Sequence, residues 1–177
     1  MSVRPDTPNG LKPKDLLGIP WRLAFALQDD GWYLRSDIVW NKPNAMPESV
    51  KDRPVRSHED LSMFSKSEKY YYNCDVVKEP AVNGKMRHRR SVWDVNTQAF
   101  PGAHFATFPP SLIEPCILSS TRSGEFVLDP FFGSGTVGVV CQVHDRPYVG
   151  IELHPKYVAM AAERLTVLHN NIIRIAI

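Results

Sequence analysis

Long hydrophobic runs, paired cysteines and a strong charge excess are all absent from this 177-residue sequence. Because it has no membrane-length apolar run and no apolar signal core in residues 1–6, we expect a cytoplasmic chain with no membrane partner. Its three cysteines, Cys74, Cys116 and Cys141, stand far apart with no CxxC pair. This spacing excludes a disulfide framework, argues against a metal site and predicts buried thiols. The formal net charge of +2 is too small to indicate nucleic-acid binding by itself.

The composition that remains, with 43% hydrophobic and 23% charged residues, is that of one globular domain. A helical apolar stripe between Leu16 and Gly31 follows Asp15, a candidate N-cap, and is predicted to kink or to begin at Pro20. Another helix is predicted to start at Pro109 or Pro110. Four strands are predicted upstream of it, the second and third as a hairpin: 32–40, 58–65, 69–73 and 91–95.

The most informative stretch is 126–136. A short apolar strand pattern ends at Asp129, Gly133 and Gly135 follow it, and an amphipathic helix pattern comes next. The two glycines let the backbone take positive φ and lie close to a ligand, whose polar groups then meet the helix N-terminus. The stretch therefore predicts a nucleotide-type binding turn.

A second acid supports this interpretation. The strand pattern at 147–151 ends at Glu152, at about the 20-residue spacing from Asp129 at which such acids bind a ribose hydroxyl. The structural alternative is a glycine-rich turn in an ordinary βαβ unit, with Glu152 as a helix N-terminal acid. Gly138 completes a G-x-G-x-x-G pattern, so a dinucleotide-dependent oxidoreductase is a further alternative. The two phenylalanines that crowd the turn disfavour it.

Positive charge is concentrated in one short segment. Lys85, Arg87, His88, Arg89 and Arg90 fall together with no acid among them. Such a segment can follow nucleic-acid phosphates, because lysine and arginine displace the counterions condensed there. A solvated loop fits the composition equally well.

The glycine loop at 129–136, preceded by the segment 104–109, resembles the paired cofactor motifs of the β-class DNA amino-methyltransferases. In that family the loop binds S-adenosylmethionine. The resemblance implies that Glu152 holds the ribose, that Asp129 faces the methionine end, and that the upstream segment closes the pocket from the other side. The implied cofactor residues are Phe105, Ala106, Thr107, Asp129, Phe131, Gly133, Ser134, Gly135, Thr136 and Glu152.

The upstream half is similar to the strand and hairpin that lie beside the target base in that family; the similar stretches are 30–44, 56–59 and 69–73. The resemblance extends from Leu11 to Leu168 and is closest to prophage-type relatives. It implies DNA methylation of the restriction-modification kind, with double-stranded DNA as the partner. The implied nucleic-acid contacts are Lys42, Lys85, Arg87, Arg89 and Arg90.

One family element has no counterpart. The family's catalytic loop is an Asp/Asn/Ser-Pro-Pro-aromatic tetrapeptide, and neither Asn-Lys-Pro-Asn at 41–44 nor Phe-Pro-Pro-Ser at 108–111 fits it. That loop normally accepts hydrogen bonds from the delocalised amino group of the target base and holds the flipped base. We therefore assign no catalytic residue, and expect an N-terminally truncated enzyme with little or no turnover alone.

The expected fold is an α/β, Rossmann-like S-adenosylmethionine-dependent methyltransferase fold that is incomplete, with its central strands missing. The single domain 1–177 is expected to hold a helix, strand and hairpin flank at 11–75, a short basic target-recognition-like loop at 76–101 and a cofactor-binding half at 102–170. Unpaired strand edges between the flanks invite association. A chain supplying the missing segment, or a self-associated dimer, is thus an expected partner. The non-enzymatic alternative is a remnant that binds DNA or a complementary chain.

Overall fold

The computed structural model of the chain describes residues 7–8, 10–98, 107–166 and 175–176. The helices and strands of these residues follow one another in this order: α1 (Ile19–Asp29), β1 (Tyr33–Asn41), β2 (His58–Ser65), β3 (Glu79–Pro80), β4 (Met86–Arg87), β5 (Val92–Asp94), α2 (Pro110–Ser120), β6 (Val127–Asp129), α3 (Thr136–Val143), β7 (Tyr148–Ile151), α4 (Pro155–Thr166) and β8 (Ile175–Ala176). They alternate only from α2 onward. None of these helices combines the length and the apolar character that a bilayer span requires.

The strands divide into two three-stranded sheets and one short hairpin. In the first sheet the order is β2-β1-β5, with β1 antiparallel to β2 and parallel to β5. In the second the order is β6-β7-β8, and every pairing is parallel. Across the described ranges no ladder joins the two sheets, so β2 and β6 are each paired on one side only.

Helix α1 begins where its proline allows. Pro20 stands in the first turn, where a missing N–H costs nothing, and the helix ends at Asp29. The predicted N-cap is wrong, because Asp15 instead accepts the backbone N–H of Lys12 at 2.8 Å. Helix α2 begins at Pro110 as expected.

The predicted hairpin of 58–65 with 69–73 is wrong. Strand β2 pairs with β1 over the whole length from Tyr33↔Ser65 to Asn41↔His58, and residues 70–73 form no strand. The rings of Tyr70 and Tyr71 contact different arginines. The Arg35 guanidinium lies 5.4 Å from the Tyr70 ring centroid, and that of Arg122 lies 3.9 Å from the Tyr71 ring centroid.

Helix α2 connects the two sheets. One cluster of buried side chains surrounds α3: Ile117, Phe132, Val137, Val140, Cys141, Tyr148, Ala161 and Leu165. The other consists of Trp40, Trp93, Val95 and Leu112 beside the first sheet, where Trp40 Nε1 donates to the Val95 carbonyl at 2.7 Å. Phe108, just before α2, packs against both clusters. The glycine loop is therefore supported by a core that also reaches the first sheet.

The cysteines are not all buried as predicted. Cys141 is fully buried, whereas Cys74 and Cys116 are partly exposed. Burial raises the pKa of the Cys116 and Cys141 thiols to about 11. Both are therefore protonated at neutral pH, and neither is an activated nucleophile.

Candidate functional site

The predicted strand, loop and helix are found at the glycine loop. Strand β6 ends at Asp129, and Gly135 is the N-cap of α3. Gly133 and Gly135 have φ of +53° and +77°. For other residues this left-handed conformation costs about 1–2 kcal/mol. The Gly135 N–H donates to the Phe132 carbonyl at 2.9 Å, which closes the turn. The two glycines are therefore required by the backbone itself.

The two predicted acids lie at the carboxyl ends of adjacent parallel strands. Asp129 pairs in register with Gly150 of β7, and Glu152 directly follows that strand. Glu152 Oε2 accepts the Gly133 N–H at 2.8 Å, and its Oε1 accepts the His154 N–H at 2.7 Å. Glu152 thus ties the glycine loop to the start of α4. Each oxygen retains a second lone pair that can accept a ligand hydroxyl.

Asp129 is half-buried, and its Oδ1 accepts the Phe131 N–H at 3.0 Å. Burial, and then the charge of Glu152, raise the pKa of Asp129 above its ordinary value. The folded chain therefore binds this proton more tightly than the unfolded chain does. The stability that this contributes is present at low pH and is lost as the pH rises through the raised pKa.

An Asp129→Asn variant is accordingly expected to have a higher free energy of unfolding than the wild type at pH 7, since the buried charge is gone and Oδ1 still accepts a hydrogen bond. The difference should disappear as the pH falls below the ordinary aspartate pKa of about 4. Urea unfolding of both chains across this range measures it. A variant that is less stable at pH 7 would contradict this expectation.

The two phenylalanines of the loop point in different directions. Phe132 is 3% exposed and stacks on Tyr148 with ring centroids 5.9 Å apart, whereas Phe131 is 88% exposed. Phe132 therefore supports the loop from the core, and Phe131 is available to contact a ligand.

The remaining predicted cofactor residues lie beneath or beside the loop. Ser134 and Thr136 are buried. Both side chains bond to Arg164 of α4. Thr107 lines a small cavity with Thr136, so the described end of the upstream segment, residues 107–109, lies beside the loop. Phe105 and Ala106 lie outside the described residues.

Arg164 was not predicted. A sequence signal exists for it, because it stands three residues after Ala161 and next to Leu165, on the buried face of α4. An arginine on a core-facing stripe indicates a specific partner.

The predicted DNA-contacting cations are largely engaged within the chain. Arg87 Nε and Arg90 Nε lie 2.8 Å and 3.1 Å from the same Glu79 oxygen. The guanidinium of Arg89 lies 4.3 Å from the Trp93 ring centroid. Lys42 pairs with Glu59 and lies 4.3 Å from the Trp40 ring centroid. The segment is therefore less basic than its sequence indicates. The Arg90–Glu79 pair, with Arg90 70% exposed, is the most accessible of these ion pairs; exposed pairs contribute only about 0–1 kcal/mol.

A parallel sheet with a glycine loop after one strand and an acid after the next defines a Rossmann-like cofactor-binding site. The sequence profile of the DNA methylase family matches residues 6–163. The chain belongs to that family, which uses S-adenosylmethionine. The expected family is confirmed, and the oxidoreductase alternative is not supported.

Two relatives illustrate the match. The chain is 73% identical over 176 residues to the Type II methyltransferase M.XycI of Xanthomonas campestris pv. cyanopsidis. This alignment covers 99% of the chain and 59% of M.XycI. It is 61% identical over 167 residues to the Type II methyltransferase M.SmaI of Serratia marcescens, in an alignment that covers 93% of the chain and 57% of M.SmaI. The chain thus spans less than two thirds of the length of these relatives. Their names support the restriction-modification class, while the prophage origin stays a prediction.

Solved structures confirm the expected fold. The chain resembles the crystal structure of the M1.HpyAVI–SAM complex with a TM-score of 0.66 and 27% identity, over 85% of this chain and 72% of that one. It resembles the PvuII DNA methyltransferase (cytosine-N4-specific) with a TM-score of 0.69 and 24% identity, over 84% and 61%. The fold is that of the S-adenosylmethionine-dependent DNA methyltransferases, with partial sheets.

Proposed function

We propose that this chain binds S-adenosylmethionine at its glycine loop, as the cofactor-binding part of a Type II DNA methyltransferase for the exocyclic amino group of adenine or cytosine. The observation that carries the proposal is the pair of carboxylates, Asp129 and Glu152, at adjacent strand ends on either side of a loop with two positive-φ glycines. Membership of the DNA methylase family and the M1.HpyAVI–SAM complex support it.

The residues present fit this cofactor. A Cβ at Gly133 would meet only the Phe131 carbonyl oxygen, at 3.9 Å, so the loop surface there is open to a ligand. Glu152 would hold the ribose through the remaining lone pairs of its carboxylate, Asp129 would lie towards the methionine end, and the exposed ring of Phe131 would cover apolar surface of the cofactor. When bound, S-adenosylmethionine supplies an electrophilic methyl group. This chain's part is to hold and orient it.

Turnover is a separate matter. The sequence has no Asp/Asn/Ser-Pro-Pro-aromatic tetrapeptide, and an aromatic amino group is too weak a nucleophile without acceptors placed at its protons. We therefore propose that the chain alone binds cofactor without methylating DNA, and that double-stranded DNA is the target of the complete enzyme.

A polypeptide that carries the tetrapeptide is the proposed partner. Among the described strands, β2 and β6 each have an unpaired side, and such edges are templates for added strands. Large apolar residues are also exposed. Trp21 and Phe25 of α1 are 50% and 60% exposed, and Leu128 of β6 is 63% exposed. Surfaces of this kind mark interaction sites.

Calorimetric titration of the purified chain with S-adenosylmethionine tests the proposal, with Gly135→Asp as the blocked variant. A side chain at Gly135 would bring its Cβ to 3.2 Å from the Ala161 Cβ, in a conformation that favours glycine. We expect saturable binding by the wild type and none by the variant. Gly31→Asp is the matched control, because Gly31 has φ of +95° and open space around its Cβ position.

The wild type, the control and the variant should all be shown to be folded by circular dichroism. A folded wild-type chain that binds no S-adenosylmethionine would overturn the cofactor assignment. A methyl-transfer assay on DNA then tests the second part. Transfer by the chain alone would contradict the need for a partner, whereas transfer only after a tetrapeptide-bearing polypeptide is added would support it.

A further inference from the structure

We infer that Arg164 is a positioning residue that holds the glycine loop in its cofactor-binding shape; this rests on the proposed function. Arg164 lies on α4, thirty residues beyond the loop that it contacts. Its proposed role rests on its hydrogen bonds to the loop and requires no contact with the cofactor.

Three loop oxygens surround one nitrogen of this side chain. Arg164 Nη1 lies 3.1 Å from the Ser134 carbonyl, 3.3 Å from Ser134 Oγ and 3.1 Å from Thr136 Oγ1. These residues stand on either side of Gly135, the N-cap of α3. A single guanidinium thus joins the residues that precede and follow the left-handed glycine, where the backbone changes from loop to helix.

The shape of the loop must be held by contacts from outside its two glycines. Positive φ at two glycines leaves the backbone with many alternative conformations. Glu152 fixes the loop at Gly133, at 2.8 Å, from the β7 side. Arg164 fixes it at Ser134 and Thr136 from the α4 side. Together the two side chains hold the loop at Gly133 on one side and at Ser134 and Thr136 on the other.

The position of this charge is unfavourable for packing alone. Arg164 is half-buried, and its loss of hydration lowers the pKa of its guanidinium. A methionine would fill a similar volume beside Ala161 and Leu165 without that desolvation cost. The hydrogen-bonding geometry of the guanidinium, rather than its bulk, accounts for an arginine here.

Arg164 also reaches the upstream segment. A cavity of about 40 Å³ is lined by Arg164, Thr136 of the loop and, from the upstream side, Gln98, Thr107, Phe108, Pro109 and Pro110. The same residue therefore contacts the loop and borders the segment that the resemblance places across the cofactor. Removing the Arg164 side chain should therefore loosen the packing between the glycine loop and residues 107–110.

The test compares Arg164→Met with Arg146→Met in the full chain. Arg146 is a matched control, since it is also half-buried and bonds to Thr121 Oγ1 and to the Thr121 carbonyl, both at 3.3 Å, away from the glycine loop. Hydrogen exchange of the peptide covering 131–137 reports loop order without cofactor. Calorimetry reports the dissociation constant for S-adenosylmethionine.

We expect Arg164→Met to accelerate exchange in 131–137 and to weaken cofactor binding about tenfold or more, as the loss of charge-assisted hydrogen bonds implies. Arg164→Lys should restore part of the affinity, because one donor remains. Arg146→Met should lower the melting temperature and leave both loop exchange and affinity unchanged.

Two outcomes are decisive. If Arg164→Met changes only the melting temperature, with loop exchange and affinity equal to those of Arg146→Met, its role is structural and the inference is wrong. If the wild type binds no S-adenosylmethionine while loop exchange still responds to Arg164 alone, the positioning of the loop stands and the proposed cofactor falls.

Discussion

A Gly150→Ala variant is expected to lose about 3 kcal/mol of unfolding free energy, the upper part of the range for overpacked cores. The added Cβ would lie 2.4, 2.5 and 2.7 Å from three atoms of the Phe132 ring. That ring is buried and stacked on Tyr148, so it has no free space to enter. Because domains have only about 5–15 kcal/mol of stability, this one methyl group consumes a large part of it.

The same substitution should reach the cofactor site. The Phe132 N–H donates to the Ile151 carbonyl at 2.9 Å, and the Phe132 carbonyl accepts the Gly135 N–H at 2.9 Å. A displaced ring therefore shifts the residue that joins β7 to the glycine loop. We expect the variant to bind S-adenosylmethionine weakly even under conditions in which it is folded.

Urea unfolding of the wild type, Gly150→Ala and Gly124→Ala measures the effect. Gly124 has φ of +81° and nothing within 4 Å of the Cβ position, so its substitution costs about 1–2 kcal/mol through the backbone alone. Gly150 has no positive φ, so its substitution acts through packing and serves as the contrast. If Gly150→Ala is no less stable than Gly124→Ala, the close packing of Phe132 on β7 is not what determines stability here.

Glu152→Gln is expected to weaken S-adenosylmethionine binding tenfold to about a hundredfold, corresponding to the loss of charge-assisted hydrogen bonds. Two backbone donors, Gly133 N–H and His154 N–H, meet the two carboxylate oxygens. A glutamine has one oxygen, so its amide nitrogen would face one of these donors. Residue 152 would then lose its hydrogen bond either to Gly133 of the loop or to His154 before α4, and the site would also lose an acceptor for the ribose.

Calorimetry at pH 7 tests this, with Glu163→Gln as the control. Glu163 lies on α4 and is exposed, so the control removes the same charge close by without touching the loop. Equal affinities for the two variants would show that Glu152 contributes only through its overall charge.

Local sequence pattern was sufficient for the cofactor half. The order strand, glycine loop, helix, strand and acid was predicted from residue 126 to Glu152 and is found there, because each signal involves neighbouring residues. Gly133 and Gly135 were expected to take positive φ, and they do. The upstream flank was less predictable. A run of aromatic and β-branched residues indicates a strand, but it does not indicate which other strand it pairs with. Strand β2 therefore pairs with β1, and the predicted strand at 69–73 does not form.

Side-chain partners were also beyond the reach of the sequence pattern. The clustering of Arg87 and Arg90 does not indicate that Glu79, across the β3–β4 hairpin from Arg87, pairs with both. Their contact with DNA stays a prediction. The pairing of β8 with β7 was also not predicted, because the apolar sequence at 172–177 contains no turn residue or acid that would indicate a strand end. Contacts between residues distant in sequence leave no periodic signal in a single chain.

By itself, the sequence determined the class of this protein and the residues of its glycine loop. Glycines, acids and apolar periodicity act through the backbone within a few residues of each other, and the motifs that they form are specific. Only the tertiary structure decided what holds that loop. Glu152 and Arg164, which follow the loop in the sequence, hydrogen-bond to it. Helix α2, which precedes the loop, packs into the same core. Folding brings these side chains, distant in sequence, within contact distance of one another.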